Sequence, residues 1–210
     1  FNFISKLKNN NKGGFTDESS LILDNNQKIN FIKGEKLNSK ITNNKNVNHE
    51  KIKYGIGFDV HRLVKNRKLY LGGISIKSKL GTLGHSDGDP ILHSVTDSIL
   101  GASGMNDIGQ KFSNKKSKFK NIRSTILLKK VMEEIKLKNI FINNIDINVI
   151  AEYPKIYKYK KKIIDSICKI CKIKKNQINL KGKTAEKLGI IGKEKAIACE
   201  VITSIKFHDR

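Results

Sequence analysis

Tryptophan is absent from this chain, proline occurs twice, cysteine three times, and only 19 acidic residues stand against 42 Lys and Arg. Three thiols, an odd and small number, exclude a disulfide framework, so the fold has to rest on packing. No run approaches the roughly 18 to 20 consecutive apolar residues that a bilayer crossing requires, which excludes a membrane-spanning helix. With 38% hydrophobic residues in 210, the chain has room for one core and an appendage, and a second full domain would be cramped. The formal charge of +23 raises nucleic acid or an anionic surface as a partner. Most of the excess is Lys, scattered among Asn and Ile in the manner of an AT-rich codon bias, without any RNP-like aromatic platform. No nucleic-acid partner and no membrane are therefore expected.

Residues 1–50 are rich in Asn and Lys, poor in acids and free of proline, and apolar bits such as Leu21, Ile22 and Leu23 settle into no period. This predicts a disordered leader. Such a segment fits an organelle transit region or a low-complexity extension equally, and because the chain opens on Phe1 rather than Met, further sequence upstream is expected. Residues 51–210 read as one compact domain. Positions 52–60 alternate as a strand, and 68–71 and 74–76 flank Gly72-Gly73 as a β-hairpin. Asp89-Pro90 supplies an N-cap and a Pro at the first helical position, after which Ile91, Leu92, Val95, Ile99 and Leu100 recur at helical spacing until Gly101 and Gly104. A Lys-rich loop over 106–120 follows, then a helix over 122–138 and a strand over 141–151 that Tyr153-Pro154 breaks. A basic amphipathic helix over 157–173, a short strand over 178–181 and a β-branched strand over 196–207 complete the chain. The interleaving predicts an α/β (α+β) class, a mixed β-sheet backed by helices.

Three clusters carry donor chemistry. In Gly57-Phe58-Asp59-Val60-His61, Asp59 and His61 lie two apart in a strand and project from one face. Alone, the pair reads better as a surface Asp beside a hydrogen-bonded His. The second cluster runs from Leu83 to His93 and on to Asp97. His93 falls one turn into the helix, and Asp97, at i+4 on the same face, is placed to orient the imidazole. His85, Ser86 and the backbone amides around Gly88 precede the helix N-terminus, where phosphate oxygens are attracted. Together, Asp59, His61 and His93 form a three-ligand set that leaves a tetrahedral zinc one open position, for a phosphate or water. The third cluster, Gly182-Lys183-Thr184-Ala185-Glu186-Lys187-Leu188-Gly189 with Lys193 beyond it, offers a hydroxyl and lysines for a polyphosphate and Glu186 for a magnesium ion on it. Walker spacing is absent, and in isolation the stretch reads better as a basic loop before the last strand. Cys168 and Cys171 form a C-x-x-C inside a Lys-rich helical pattern with no second pair, so they and Cys199 read as buried apolar residues.

In order along the chain, GFDVH, GHSDGDPILHSVTDSILGASGMNDIG, INVIAEYPKI, KTAEKLGIIG and IACEVI resemble the 2-C-methyl-D-erythritol 2,4-cyclodiphosphate synthase family over residues 53–206. The resemblance implies a compact α/β domain assembling as a homotrimer, with active sites between subunits. It implies Asp59, His61 and His93 as zinc ligands, and His85 and Ser86 as contacts to substrate phosphate. Asp107, Ile108 and Gly109 would hold the methylerythritol hydroxyls, and Ile150, Ala151, Pro154, Lys155 and Ile156 the cytosine. Thr184 and Glu186 would meet the phosphates and a second ion, Mg2+ or Mn2+, with Lys193 nearby. The reaction implied is cyclisation of 4-diphosphocytidyl-2-C-methyl-D-erythritol 2-phosphate with release of CMP. Its nucleophile is already anionic and its leaving group stable, so catalysis falls to cations and positioning rather than to a strong acid or base. By the same resemblance, residues 1–50 are expected to be a plastid-type, apicoplast-like leader.

The chain departs from the family in three places. Phe112-Ser113-Asn114-Lys115-Lys116 replaces a Phe-Pro with acidic neighbours, Lys183 replaces a small hydroxyl residue, and Lys193 replaces an Arg, keeping the charge but losing the bidentate fork. Two rival classes stand beside this reading: a zinc-dependent phosphate-ester hydrolase using metal-bound hydroxide, and a non-enzymatic nucleic-acid-binding protein with salt-dependent affinity.

Overall fold

The computed structural model of the chain describes residues 51–113, 119 and 121–207. The leader expected over 1–50, with Lys115 and Lys116, lies outside them. Among the described residues there are seven strands: β1 (Ile52–Lys65), β2 (Leu69–Leu71), β3 (Ile74–Ile76), β4 (Leu80–Thr82), β5 (Ile140–Ile150), β6 (Ile178–Lys183) and β7 (Ala196–Phe207). Among them run α1 (Pro90–Ala102), α2 (Ile108–Lys111), α3 (Ser124–Leu137), α4 (Lys160–Cys171) and α5 (Gly189–Gly192). The main sheet has the order β4-β1-β7-β5-β6, while β2 and β3 form the separate hairpin around Gly72-Gly73. Strand β6 runs parallel to β5 and the other pairs are antiparallel, so the sheet is mixed, as expected.

Alternation along β1 decides what the sheet presents on each side. Gly55 and Gly57 face inward in register with Asp59 and His61, whereas Tyr54, Ile56, Phe58 and Val60 face outward and are exposed. The two glycines bring α1 directly onto bare strand backbone. A Cβ on Gly57 would fall 1.9 Å from the Ser94 carbonyl oxygen, and one on Gly55 2.1 Å from that of Ser98. Helix α1 is thereby covered except along the stripe of His93, Asp97 and Gly101, with Ile91, Leu92, Val95, Ile99 and Leu100 fully buried. Each such side chain contributes about 1.5–3 kcal/mol of hydrophobic stabilisation. Polar residues on α1 are spent on cross-links to β7: Ser94 Oγ donates to the Cys199 carbonyl at 3.0 Å, and the Ser98 and Thr203 hydroxyls lie 2.6 Å apart. Helices α3 and α4 close the same layer through Leu128, Val131, Ile135, Ile163 and Ile167. Cys168, Cys171 and Cys199 are buried and unpaired, as read from their surroundings.

The differences from the sequence expectation have local causes. Strand β1 runs on to Lys65 because its far end leaves β7 and pairs with β4, Leu63 opposite Thr82 and Lys65 opposite Leu80. The loop expected over 106–120 contains the single helical turn α2, capped by Asp107, whose Oδ1 accepts the Gln110 amide at 2.8 Å. The helix expected over 157–173 divides into a 3-10 turn (Ile156–Lys158) and α4, which ends at Lys172 in the left-handed region.

Candidate metal centre

The same inward alternation that admits α1 puts Asp59 and His61 beside the first turn of that helix, where His93 points back at them. Asp59 Oδ2 lies 3.1 Å from His61 Nε2 and 2.9 Å from His93 Nδ1, and the two imidazole nitrogens are 3.1 Å apart. Among the described residues this is the one group of three or more His, Cys, Asp or Glu side chains able to share a metal ion. Donors about 2.0–2.1 Å from a tetrahedral zinc stand roughly 3.3 Å from one another. The three separations here fit that requirement closely, and the donor set of two imidazoles and a carboxylate suits a borderline divalent ion.

Electrostatics favour the same outcome. Burial works to raise the Asp59 pKa, but hydrogen bonds from His61 and His93, and their charges, outweigh it and hold the carboxyl well below the usual range. For His93, burial opposes the charged form, yet the hydrogen bond and charge of Asp59 prevail and raise its pKa. The cluster attracts positive charge, and a divalent ion satisfies the carboxylate in place of a proton.

Several residues around the centre do something other than the sequence pattern predicts. Asp97 does not orient His93: its Oδ1 accepts the Ile108 amide at 2.7 Å, tying α1 to α2 instead. The amides cited around the start of α1 are not free for phosphate either. Asp89 accepts from Ile91 and Leu92 at 3.1 Å each, and the Gly88 amide donates to Ser86 Oγ at 3.2 Å. Ser86 itself is buried, with Oγ 3.0 Å from His93 Nε2, while His85 is exposed beside it. Sequence reasoning missed Ser124, whose Oγ lies 2.9 Å from the same Nε2. A Ser opening a helix was a visible signal, but nothing in the pattern paired it with a His 31 positions earlier.

A second region lies across the sheet. Ala151, Lys155, Ile156 and Thr184 line one cavity of about 360 Å³ together with Leu180 and Gly182, whereas Ile150 and Pro154 are outside its lining. Thr184 Oγ1 donates to Glu186 Oε1, and Glu152 Oε1 shapes the loop by accepting the Ala185 and Lys187 amides at 3.0 and 3.2 Å. Glu186 belongs to no group of three or more metal-ligating side chains among the described residues. Lys193 is exposed just past α5, and Asp107, Ile108 and Gly109 sit at the start of α2. Lys183 is level with Ile150, Ile150 with Ala198, and Ala198 with Val60, so three strand spacings separate the Lys183 edge of the cavity from the strand that carries Asp59 and His61. That is about 14 Å. Among the described residues, no helix is long and apolar enough to cross a membrane.

A profile of the YgbB family matches residues 52–206. The bifunctional enzyme IspD/IspF of Pelagibacter ubique is 58% identical over 212 residues, covering all of this chain and 57% of that relative. The chain thus spans little more than half the length of this curated relative. The 2-C-methyl-D-erythritol 2,4-cyclodiphosphate synthase of Caldicellulosiruptor bescii is 45% identical over 153 residues, 73% of this chain and 98% of that one. A solved structure of Plasmodium falciparum IspF in a CDP complex superposes with a TM-score of 0.67 at 41% identity, over 77% of this chain and 99% of that one. The plastid-type leader gains no support from these findings, because the relative that also matches residues 1–50 is a longer bacterial chain. With the match running over nearly the whole described fold, the chain belongs to the YgbB family, whose members here carry the name 2-C-methyl-D-erythritol 2,4-cyclodiphosphate synthase.

Proposed function

We infer that residues 51–210 form the catalytic domain that converts 4-diphosphocytidyl-2-C-methyl-D-erythritol 2-phosphate into 2-C-methyl-D-erythritol 2,4-cyclodiphosphate and CMP, a step of non-mevalonate isoprenoid precursor synthesis. The observation that carries this reading is the convergence of Asp59, His61 and His93 within a chain matched by the family over 52–206. In the reaction, a 2-phosphate oxygen forms a bond to the β-phosphorus, and the bond from that phosphorus to the CMP oxygen breaks with its electron pair leaving on CMP. No solvent oxygen enters.

Asp59 Oδ2, His61 Nε2 and His93 Nδ1 would hold Zn2+, which supplies Lewis-acid stabilisation of phosphate charge when bound. Ser86 and His85, beside His93, donate to the phosphate. Thr184 donates from the other side, and Glu186 offers one carboxylate to Mg2+ or Mn2+ carried by the diphosphate, an ion that needs few protein ligands. The cavity bounded by Ala151, Lys155 and Ile156 takes the cytosine, a reading supported by the CDP complex of the Plasmodium relative. Asp107, Ile108 and Gly109 bind the methylerythritol hydroxyls, and Lys193 adds positive charge near the phosphates.

A homotrimer completes the site. Tyr54, Ile56 and Phe58 are 70%, 68% and 58% exposed and continue into Val60 and Ile202, an apolar sheet face that a second copy would cover. The separation of about 14 Å between one chain's metal donors and its own cavity supports pairing each metal centre with a neighbour's pocket. Incubation with the diphosphocytidyl substrate, followed by phosphorus NMR, tests the reading. CMP and a cyclic diphosphate are expected. A linear product carrying oxygen from labelled water would assign a hydrolase instead.

A further inference from the structure

Beyond the ligands themselves, a chain of hydrogen bonds leads away from His93. Its Nε2, the nitrogen opposite the donor atom, lies 2.9 Å from Ser124 Oγ. Ser124 Oγ donates its proton to Asp87 Oδ1 in a short contact. Asp87 Oδ2 is held by Arg123 Nε at 2.8 Å, with the carboxylate only 4% exposed. Arg123 is in turn fixed by donating to the Gly73 carbonyl at 2.9 Å and by stacking its guanidinium 3.9 Å from the centre of the Tyr70 ring.

A hydroxyl has one proton. Because Ser124 gives that proton to Asp87, toward His93 it can only accept, and His93 Nε2 must therefore be the donor. A proton on Nε2 leaves the Nδ1 lone pair for a cation. We propose that Ser124 and Asp87 are positioning residues that set the protonation pattern of His93, keeping Nε2–H in place so that Nδ1 faces Asp59 and His61 as a metal donor. The hydroxyl of Ser86, also near Nε2 at 3.0 Å, accepts the Gly88 amide and keeps both a second lone pair and its own proton, so it can turn to suit either state of the ring and follows the pattern that Ser124 sets. The proposal rests on the zinc reading of the Asp59, His61 and His93 cluster.

The direction of each bond predicts an unusual order of effects. In Asp87→Asn the amide oxygen is drawn to Arg123, so the amide NH2 faces Ser124. The Ser124 hydroxyl then turns and donates to His93 Nε2, which drives the ring proton onto Nδ1 and blocks the cation. Ser124→Ala merely removes an acceptor. The test measures zinc affinity by chelator competition on the purified full chain, and reads how fast the His93 Nε2 proton exchanges by long-range proton–nitrogen NMR of the zinc-loaded protein, since without a cation Nδ1 also carries a proton toward Asp59. Ser124→Ala is expected to weaken zinc binding about tenfold and Asp87→Asn about 100-fold, while Ser124→Thr, which keeps the hydroxyl, stays within about twofold. The Nε2 proton is expected to exchange slowly in wild type and Ser124→Thr, and quickly in Ser124→Ala. Equal zinc affinity in all variants, equal losses in Ser124→Ala and Ser124→Thr, or an Nε2 proton that exchanges as fast in the wild type as in Ser124→Ala would each overturn the proposal. Should Asp87→Asn fail to fold, the Ser124 pair decides by the same criteria. A wild type that binds no zinc would overturn the metal reading and the proposal with it, whereas zinc binding indifferent to these substitutions would overturn the proposal alone.

Discussion

Asp89 Oδ2 accepts the Gly73 amide at 2.6 Å, so a residue that caps α1 also fastens the β2–β3 hairpin to it. The other oxygen takes the Gly72, Ile91 and Leu92 amides at 2.9 to 3.1 Å, and the side chain is fully buried. Burial pushes its pKa up while these backbone bonds oppose the rise. Four amides depend on one carboxylate. Asp89→Ala leaves them without partners and is expected to cost about 3–5 kcal/mol, read as a lower urea midpoint at unchanged slope.

Gly57→Ala is expected to cost at least about 3 kcal/mol, because the new methyl meets the Ser94 carbonyl, which belongs to helix backbone and cannot swing aside. Gly101→Ala is the control. Its Cβ would have 3.8 Å of clearance, and helix propensity favours Ala there by about 0.5–1 kcal/mol. Thermal unfolding of the two variants should move in opposite directions.

His61→Ala and His93→Ala are expected to abolish turnover and to lower zinc content measured by plasma emission spectrometry. Chelation of the wild type should do the same reversibly, with activity returning on zinc addition. Full turnover in a metal-free variant contradicts the assignment.

Glu186→Gln is expected to fold normally, since the carboxylate's recorded partner is the adjacent Thr184 hydroxyl. Its magnesium dependence should shift to higher concentration. An unchanged rate and an unchanged metal titration would remove Glu186 from the site.

The Cys171 thiol is pushed up to about 12, first by burial and then by Cys168. An unfolded chain titrates such a thiol near roughly 8.5. Between those values the unfolded state has released a proton that the native state keeps, so stability falls as pH rises, by about 1.4 kcal/mol per unit for this group. Below the lower value the thiol contributes no pH dependence. In urea titrations between pH 9 and 11, Cys171→Ala should show a shallower decline than wild type.

The helix bearing His93 was legible from Asp89-Pro90 and the spacing of its apolar residues, and the shared face of Asp59 and His61 from their separation by two. These are local regularities of period 3.6 and period 2. Legibility ends where partners are chosen by packing. Asp97 sits on the face that the i+4 rule assigns it, yet it captures the Ile108 amide 11 residues on because α2 folds back beside it. Ser124 reaches His93 only after α3 docks, and three-residue β4 has too few positions for an alternation to register. The donors at the start of α1 were visible, but Ser86 takes the Gly88 amide and Asp89 those of Ile91 and Leu92, and the placing of Asp89 depends on the hairpin amides of Gly72 and Gly73 arriving from elsewhere.

The bare backbone at Gly55 and Gly57 also proofreads the sheet. Were β1 to slip one position against β7, Ile56 with either Phe58 or Tyr54 would turn under the helix in place of the two glycines and their bulk would prop it away from the strand, while the acid and imidazole would be carried to the opposite side. Docking of the helix and assembly of the cation's donors are consequently one event. A molecule that has closed correctly is already loaded with the right ligands, and a misaligned one cannot close at all.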